Sequence, residues 1–181
     1  MILDIVHYGS PVLRKRSTVV PAVTKDLLRL ASDMLETMYA AKGVGLAAQQ
    51  VGRLESLCVI DVPPDCENEE DRGFNARVAM PLVMFNPSIV ASSGEQDGSE
   101  GCLSFPKIGC DVKRAGEVTV CYIAPDGSQK VETVRGFLAR AVQHETDHLN
   151  GILFVDRADA KSVEKASGKL KKLAKANGGR M

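Results

Sequence analysis

Residues 134–151 read VRGFLARAVQHETDHLNG, and the rest of the chain is best read outward from them. Apolar residues recur at Val134, Phe137, Leu138, Ala141 and Val142. Spacings of three and four describe one face of a helix. The stripe continues through Glu145, His148 and Leu149, and Gly151, assisted by Asn150, supplies a stop signal. Within it, His144 and His148 stand one helical turn apart on one face, with Glu145 beside the first. Two neutral imidazoles so placed can bind one divalent cation, and the carboxylate between them can reach a water at that cation. A His-Glu-x-x-His string also arises by chance on solvated helices. Two facts weigh for chemistry. The chain has 3 His, two of them here, and the helix face is apolar, where unpaired imidazoles and a carboxylate are costly to bury.

Catalytic cation sites of this kind use three protein ligands and keep one position open. The extended pattern that ends in a third His fails, because its position is Phe154. Three other residues compete. Glu164 lies on a downstream basic stretch, and His7 lies near the start without a companion. Cys102, within Glu100-Gly101-Cys102-Leu103-Ser104, offers a soft thiolate, although most free cysteines are simply buried. A further segment, Gly43-Val44-Gly45-Leu46-Ala47-Ala48-Gln49-Gln50, follows an amphipathic helix. It reads either as a helix end with a tight turn or as backbone approaching a ligand, with a Gln amide aimed at it.

Taken in order, these three segments resemble the peptide deformylase family, whose members remove the N-formyl group from nascent polypeptides. The opening Ile5-Val6-His7-Tyr8-Gly9-Ser10-Pro11-Val12-Leu13-Arg14 resembles the family's first strand and turn, and the pattern can be followed over residues 2–160. The resemblance implies Cys102, His144 and His148 as metal ligands and Glu145 as general base and acid. It implies that metal-bound water attacks the formyl carbon, while Gln50 and the Leu103 N–H stabilise the oxyanion. Gly45, Val44, Glu100 and Gly101 would line the substrate cleft, and Phe137 and Ala141 would join Val44 at an apolar pocket for the methionine side chain. Iron(II) is the implied native metal, with zinc, nickel or cobalt as substitutes. The implied setting is protein biosynthesis in a bacterial-type cytoplasm, on nascent N-formylated chains.

Departures from the family pattern are local. Residues 62–82 form a longer connection than the pattern leads one to expect, with an acidic cluster at Glu67, Glu69, Glu70 and Asp71. They read as a solvated loop insertion or, alternatively, a flap at the cleft edge. Some members carry a peptide-contacting arginine after the cysteine motif, where this chain has Lys107-Ile108-Gly109. Arg114 fits either that contact or a salt bridge, and Arg140 faces either the entrance or solvent.

At 181 residues, the chain fits a single domain with a real core. Lys and Arg number 23 and Asp and Glu also 23, so the overall charge argues for no DNA partner. No apolar run is long enough to span a membrane, and no signal-peptide pattern opens the chain. The 5 Cys lack C-x-x-C spacing and suit a reducing compartment.

The fold class reads as α+β, with mixed or antiparallel sheets wrapped around the central metal-motif helix. An N-terminal helix capped by Thr24 should run over 25–41, with Leu27, Leu30, Met34, Leu35 and Met38 inward. Residues 56–62 read as a buried strand and 82–91 as an extended segment. Residues 118–124 and 129–133 form a hairpin about Pro125-Asp126-Gly127. Residues 159–181 read as a basic C-terminal helix and tail, with Val163, Ala166, Leu170 and Leu173 packed inward. Its lysines, Lys165, Lys169, Lys171 and Lys172, either face solvent or make a transient electrostatic contact with the RNA-rich ribosome.

Overall fold

A computed structural model describes residues 1–178, so the last three residues of the basic tail lie outside the described residues. The first helix, α1 (Lys25–Ala40), begins where the Thr24 side chain accepts a hydrogen bond from the Leu27 N–H at 3.3 Å. Leu30, Met34 and Met38 recur on its inner face and are buried. Full burial of each is worth roughly 2 kcal/mol. Leu27 and Leu35 are partly buried against the same cluster, which includes Leu57 and Phe85.

Five strands form one antiparallel sheet: β1 (Gly45–Ala47), β2 (Leu57–Ile60), β3 (Leu82–Ser93), β6 (Glu117–Ile123) and β7 (Gln129–Arg135), in that spatial order. Two more, β4 (Gln96–Gly101) and β5 (Gly109–Arg114), form a separate antiparallel pair. Every residue of β2 is buried, which explains its unbroken apolar run. The expected 82–91 segment is strand β3. Asn86 interrupts it with a left-handed φ of 50°, and the pairing with β6 shifts register there. The Asn86 side chain binds both the N–H and the carbonyl of Val20. The hairpin β6–β7 forms in register from Glu117–Arg135 to Ile123–Gln129.

The metal-motif helix is α3 (Gly136–Leu149), and it packs against β1, β2, β3, β6 and β7. The sheet thus wraps one apolar helix, joining Leu138, Ala139 and Val142 to Ile60, Val118 and Val120. The expected apolar stripe needs one correction. Val134 belongs to β7, where it is fully buried opposite Val118. Strand and helix share this core, so the strand's last apolar residue mimics the helical period. The chain turns at Gly136, whose φ of +59° favours glycine. At the far end, the Gly151 and Ile152 N–H groups bond the His148 and Asp147 carbonyls, each at 3.0 Å, and Gly151 takes a φ of +73°. This is a Schellman stop, as the Asn-Gly signal indicates.

Two expectations for the connections are revised. Residues 62–82 are more than a solvated loop: they hold a short helix, α2 (Glu69–Asn75), capped by Asn68. Asn75 exchanges hydrogen bonds with the Arg135 backbone, and the Arg135 guanidinium stacks 3.9 Å over Phe74. The opening segment forms no sheet strand. It carries one 3-10 turn (Pro11–Arg14), and ahead of that it bonds through Val6 N–H to the Gln50 carbonyl (2.7 Å) and Tyr8 N–H to the Ser104 carbonyl (2.9 Å). After the short α4 (Phe154–Arg157), helix α5 (Ala160–Ala176) starts at Asp159, whose side chain accepts from the Ser162 N–H. Ala166 and Leu170 of α5 close a third apolar cluster with Phe105 and Phe154. No described helix is long and apolar enough to cross a membrane.

Candidate metal centre

Three elements converge on one point. The helix α3 presents His144 and His148, with rings 4.9 Å apart. The turn after β4 presents Cys102, and the turn after β1 presents Gln50. The ligand atoms of Cys102, His144 and His148 all lie within 4.8 Å of one another, and Cys102 Sγ is 3.3 Å from His148 Nε2. One soft sulfur and two imidazole nitrogens suit a borderline divalent transition metal. His7 and Glu164 are not in this cluster, and Glu164 is exposed on α5.

The histidine orientation comes from a buried ion network. Glu100 Oε2 lies 2.9 Å from His144 Nδ1, leaving Nε2 for the ligand cluster. A carboxylate behind a ligating imidazole fixes its tautomer and ring angle. Glu100 is held by Arg114 Nε (2.7 Å) and Nη2 (3.0 Å) and by Arg140 Nη1 (2.9 Å). Burial opposes its charge, but Arg114 and His144 outweigh it and keep the carboxyl well below the usual carboxylate range. Arg114 also donates to Asp147, which accepts two further bonds from Arg157. Arg114 is therefore salt-bridged, and Arg140 is buried, donating also to the Val112 carbonyl. Glu100, expected among the substrate contacts, lines the cleft and commits both oxygens to this network.

Glu145 is buried, and its Oε2 has no hydrogen-bond partner among the described residues. Burial, the largest influence, pushes its pKa up to about 7. Gly45 makes room for it, since a Cβ there would lie 2.3 Å from Glu145 Oε1. Gln50 is oriented without ambiguity. Its Oε1 accepts from the Ala47 N–H at 2.8 Å, so its Nε2 must face Cys102 Sγ and the Ser104 hydroxyl, each 3.3 Å away. Among the described residues the Leu103 N–H has no partner, while its neighbours' backbones are engaged by Phe105 and Tyr8. The site opens into a cleft of about 660 Å³. Val44, Gly45, Gly101, Phe137 and Ala141 all line it, as does Leu103.

A Cys-His-His donor set with a buried carboxylate on the same helix, inside an α+β frame, defines a class: the metal-dependent hydrolases. The family model described as polypeptide deformylase matches residues 2–164. Peptide deformylases of Nitrosococcus oceani and Opitutus terrae are each 44% identical to the chain. The first alignment covers 86% of both chains, and the second 97% of this chain and 94% of the other. Solved deformylase structures agree: that from Plasmodium falciparum has a TM-score of 0.84 at 34% identity, covering 96% of each chain. That from Ehrlichia chaffeensis has a TM-score of 0.85 at 34% identity, covering 98% of this chain and 99% of its own. The chain belongs to the polypeptide deformylase family, metal-dependent hydrolases that remove the N-formyl group from nascent polypeptides.

Proposed function

We propose that this chain performs deformylation with Cys102, His144 and His148 holding one divalent cation and Glu145 moving the proton. The observation that carries the reading is the unpartnered, buried Glu145 oxygen beside three ligand atoms that converge within 4.8 Å. Iron(II) is the native metal in this reading, with zinc, nickel or cobalt able to replace it. Bound there, the cation supplies Lewis acidity, which makes water a nucleophile near neutral pH. Glu145, poised near neutrality by burial, takes the water's proton and later returns it to the leaving amine. The Gln50 amide and the Leu103 N–H donate to the carbonyl oxygen as it gains charge. Val44, Phe137 and Ala141 receive the methionine side chain, while Gly45 and Gly101 let the peptide backbone pass close to the wall. In this reading the site works in the cytoplasm on chains leaving the ribosome, and the basic face of α5 either stays solvated or makes a transient electrostatic contact there.

The deciding assay is formate release from formyl-Met-Ala-Ser by anaerobically iron-loaded protein, with acetyl-Met-Ala-Ser as control. Cleavage of the formyl peptide alone is expected; inertness toward both sinks the reading. Cys102→Ala should abolish stoichiometric metal binding. Intact metal content in that variant would favour a peptidase-type centre built without the cysteine.

A further inference from the structure

The metal cleft has a neighbour. A second hollow of about 290 Å³ adjoins it, with Ser99, Lys107, Ile108 and Gly109 lining both. Its far wall is Lys165, Ala166 and Lys169 of α5. Three lysines and one acid, Asp111, line this hollow among the described residues. Lys42 adds a fourth cation at the mouth of the main cleft. All four lysines are exposed, and none takes part in an ion pair among the described residues. The nearby Asp159 carboxylate accepts from the Ser162 N–H at 2.9 Å at the N-terminus of α5 and also lies within the field of Lys165, so it offsets part of that lysine's charge and leaves Lys107 and Lys169 less compensated. The chain as a whole is neutral, with 23 residues of each sign, so this is a local concentration of positive charge.

Two of these lysines sit on tight turns at the rim. Lys42 and Lys107 adopt left-handed φ values of 56° and 60°. That conformation favours glycine and costs a side-chain-bearing residue roughly 1 kcal/mol. Hydrogen bonds offset that cost locally. Lys42 closes a Schellman stop after α1, with the Gly43 N–H on the Met38 carbonyl at 2.9 Å and its own N–H on the Tyr39 carbonyl at 3.0 Å. Lys107 sits in a turn closed by the Ile108 N–H on the Phe105 carbonyl at 3.1 Å, so both turns hold their lysines out at the rim.

We infer that this chain favours nascent polypeptides carrying acidic side chains downstream of the formyl-methionine, drawn along the groove by Lys107, Lys165 and Lys169. The inference rests on the deformylase reading. A formylated end is neutral and enters the metal cleft without cost to charge. The residues behind it extend by about 3.3 Å each and run out past the lysines. These contacts form in the bound ground state and persist in the transition state, so they lower KM and leave kcat nearly unchanged.

The test uses metal-loaded protein and three amidated peptides, formyl-Met-Ala-Ser followed by three Glu, three Gln or three Lys. At low salt we expect kcat/KM to fall in that order, by about tenfold from first to last, with the change carried by KM. At about 0.5 M salt the difference should shrink toward unity. The charge reversal K165E/K169E should equalise or invert the order, with K165Q/K169Q between it and the parent. Equal kcat/KM for the three peptides at low salt overturns the inference. So does a preference that salt or both variants leave unchanged. Inertness toward all three peptides overturns the deformylase reading itself, and this inference with it.

Discussion

Glu100 and Glu145 are both buried carboxylates on the same site, and their surroundings push them apart. Glu100 faces two guanidiniums and stays ionised; Glu145 is buried with one oxygen unpartnered, and burial lifts its pKa to about 7. Replacing Glu145 by Gln should leave metal content intact and reduce formate release at least 10²-fold, as general base loss does. The same residue sets a pH dependence in metal-free protein. Below its ordinary value of 4.5 both folded and unfolded chains hold the proton, and above about 7 the folded chain carries a buried charge. Stability is therefore lost as pH rises through that window, by about 3 kcal/mol at the upper end. Denaturant unfolding should show parent and E145Q diverging between those limits, the variant being the more stable at alkaline pH. A constant difference would remove Glu145 as the cause. Glu100→Gln should weaken metal binding 10- to 100-fold in a chelator competition and destabilise the fold by about 3 kcal/mol or more. The sequence marked Glu100 as important through its motif yet did not show its partners. Arg114 and Arg140 lie 14 and 40 positions away, on other elements, and only folding brings them to its carboxylate.

Among the elements, α1, the β6–β7 hairpin and α5 were legible because each carries its own signal: a Thr cap, a Pro-Asp-Gly turn, and apolar residues at helical spacing from Val163 to Leu173. The start of α3 was not, because Val134 satisfies a helical period while sitting in a strand. Likewise α2 was hidden in an acidic connection, its order coming from contacts with residues far along the chain. Asn75 is the clearest of these, pairing with both backbone groups of Arg135 at the strand-to-helix switch. Asn75→Ala leaves the part-buried Arg135 N–H unpaired and should cost about 1–3 kcal/mol in chemical denaturation. If α2 were only a solvated flap, the loss would be near zero. Because Arg135 precedes Phe137 on the cleft wall, that variant should also raise KM more than it lowers kcat.

The whole molecule is organised around a centre to which distant segments contribute. Val6 and Tyr8 tie the opening segment to the Gln50 and Ser104 carbonyls, so the N-terminal residues brace both site turns. Cation binding to the folded state alone should stabilise the entire fold. At 100 times the dissociation constant the gain is about 2.7 kcal/mol, or roughly 5–11 °C in Tm for a chain of this size. Calorimetry with and without chelator should show that shift in the parent protein and none in Cys102→Ala. A shift that survives the substitution would place the cation elsewhere.

From the string of residues alone came the ligand-bearing helix, the family, the caps and turns, and the residue types that a metal hydrolase needs. Those are local matters: spacing on a helix face, the conformational freedom of glycine, the donor chemistry of sulfur and imidazole. Tertiary structure decided which way each group faces. The Ala47 N–H turns the Gln50 amide toward the sulfur, the absent Cβ of Gly45 admits Glu145, and two buried arginines hold Glu100 against His144. Orientation depends on partners that are near in space and far along the chain, and periodicity carries no record of them.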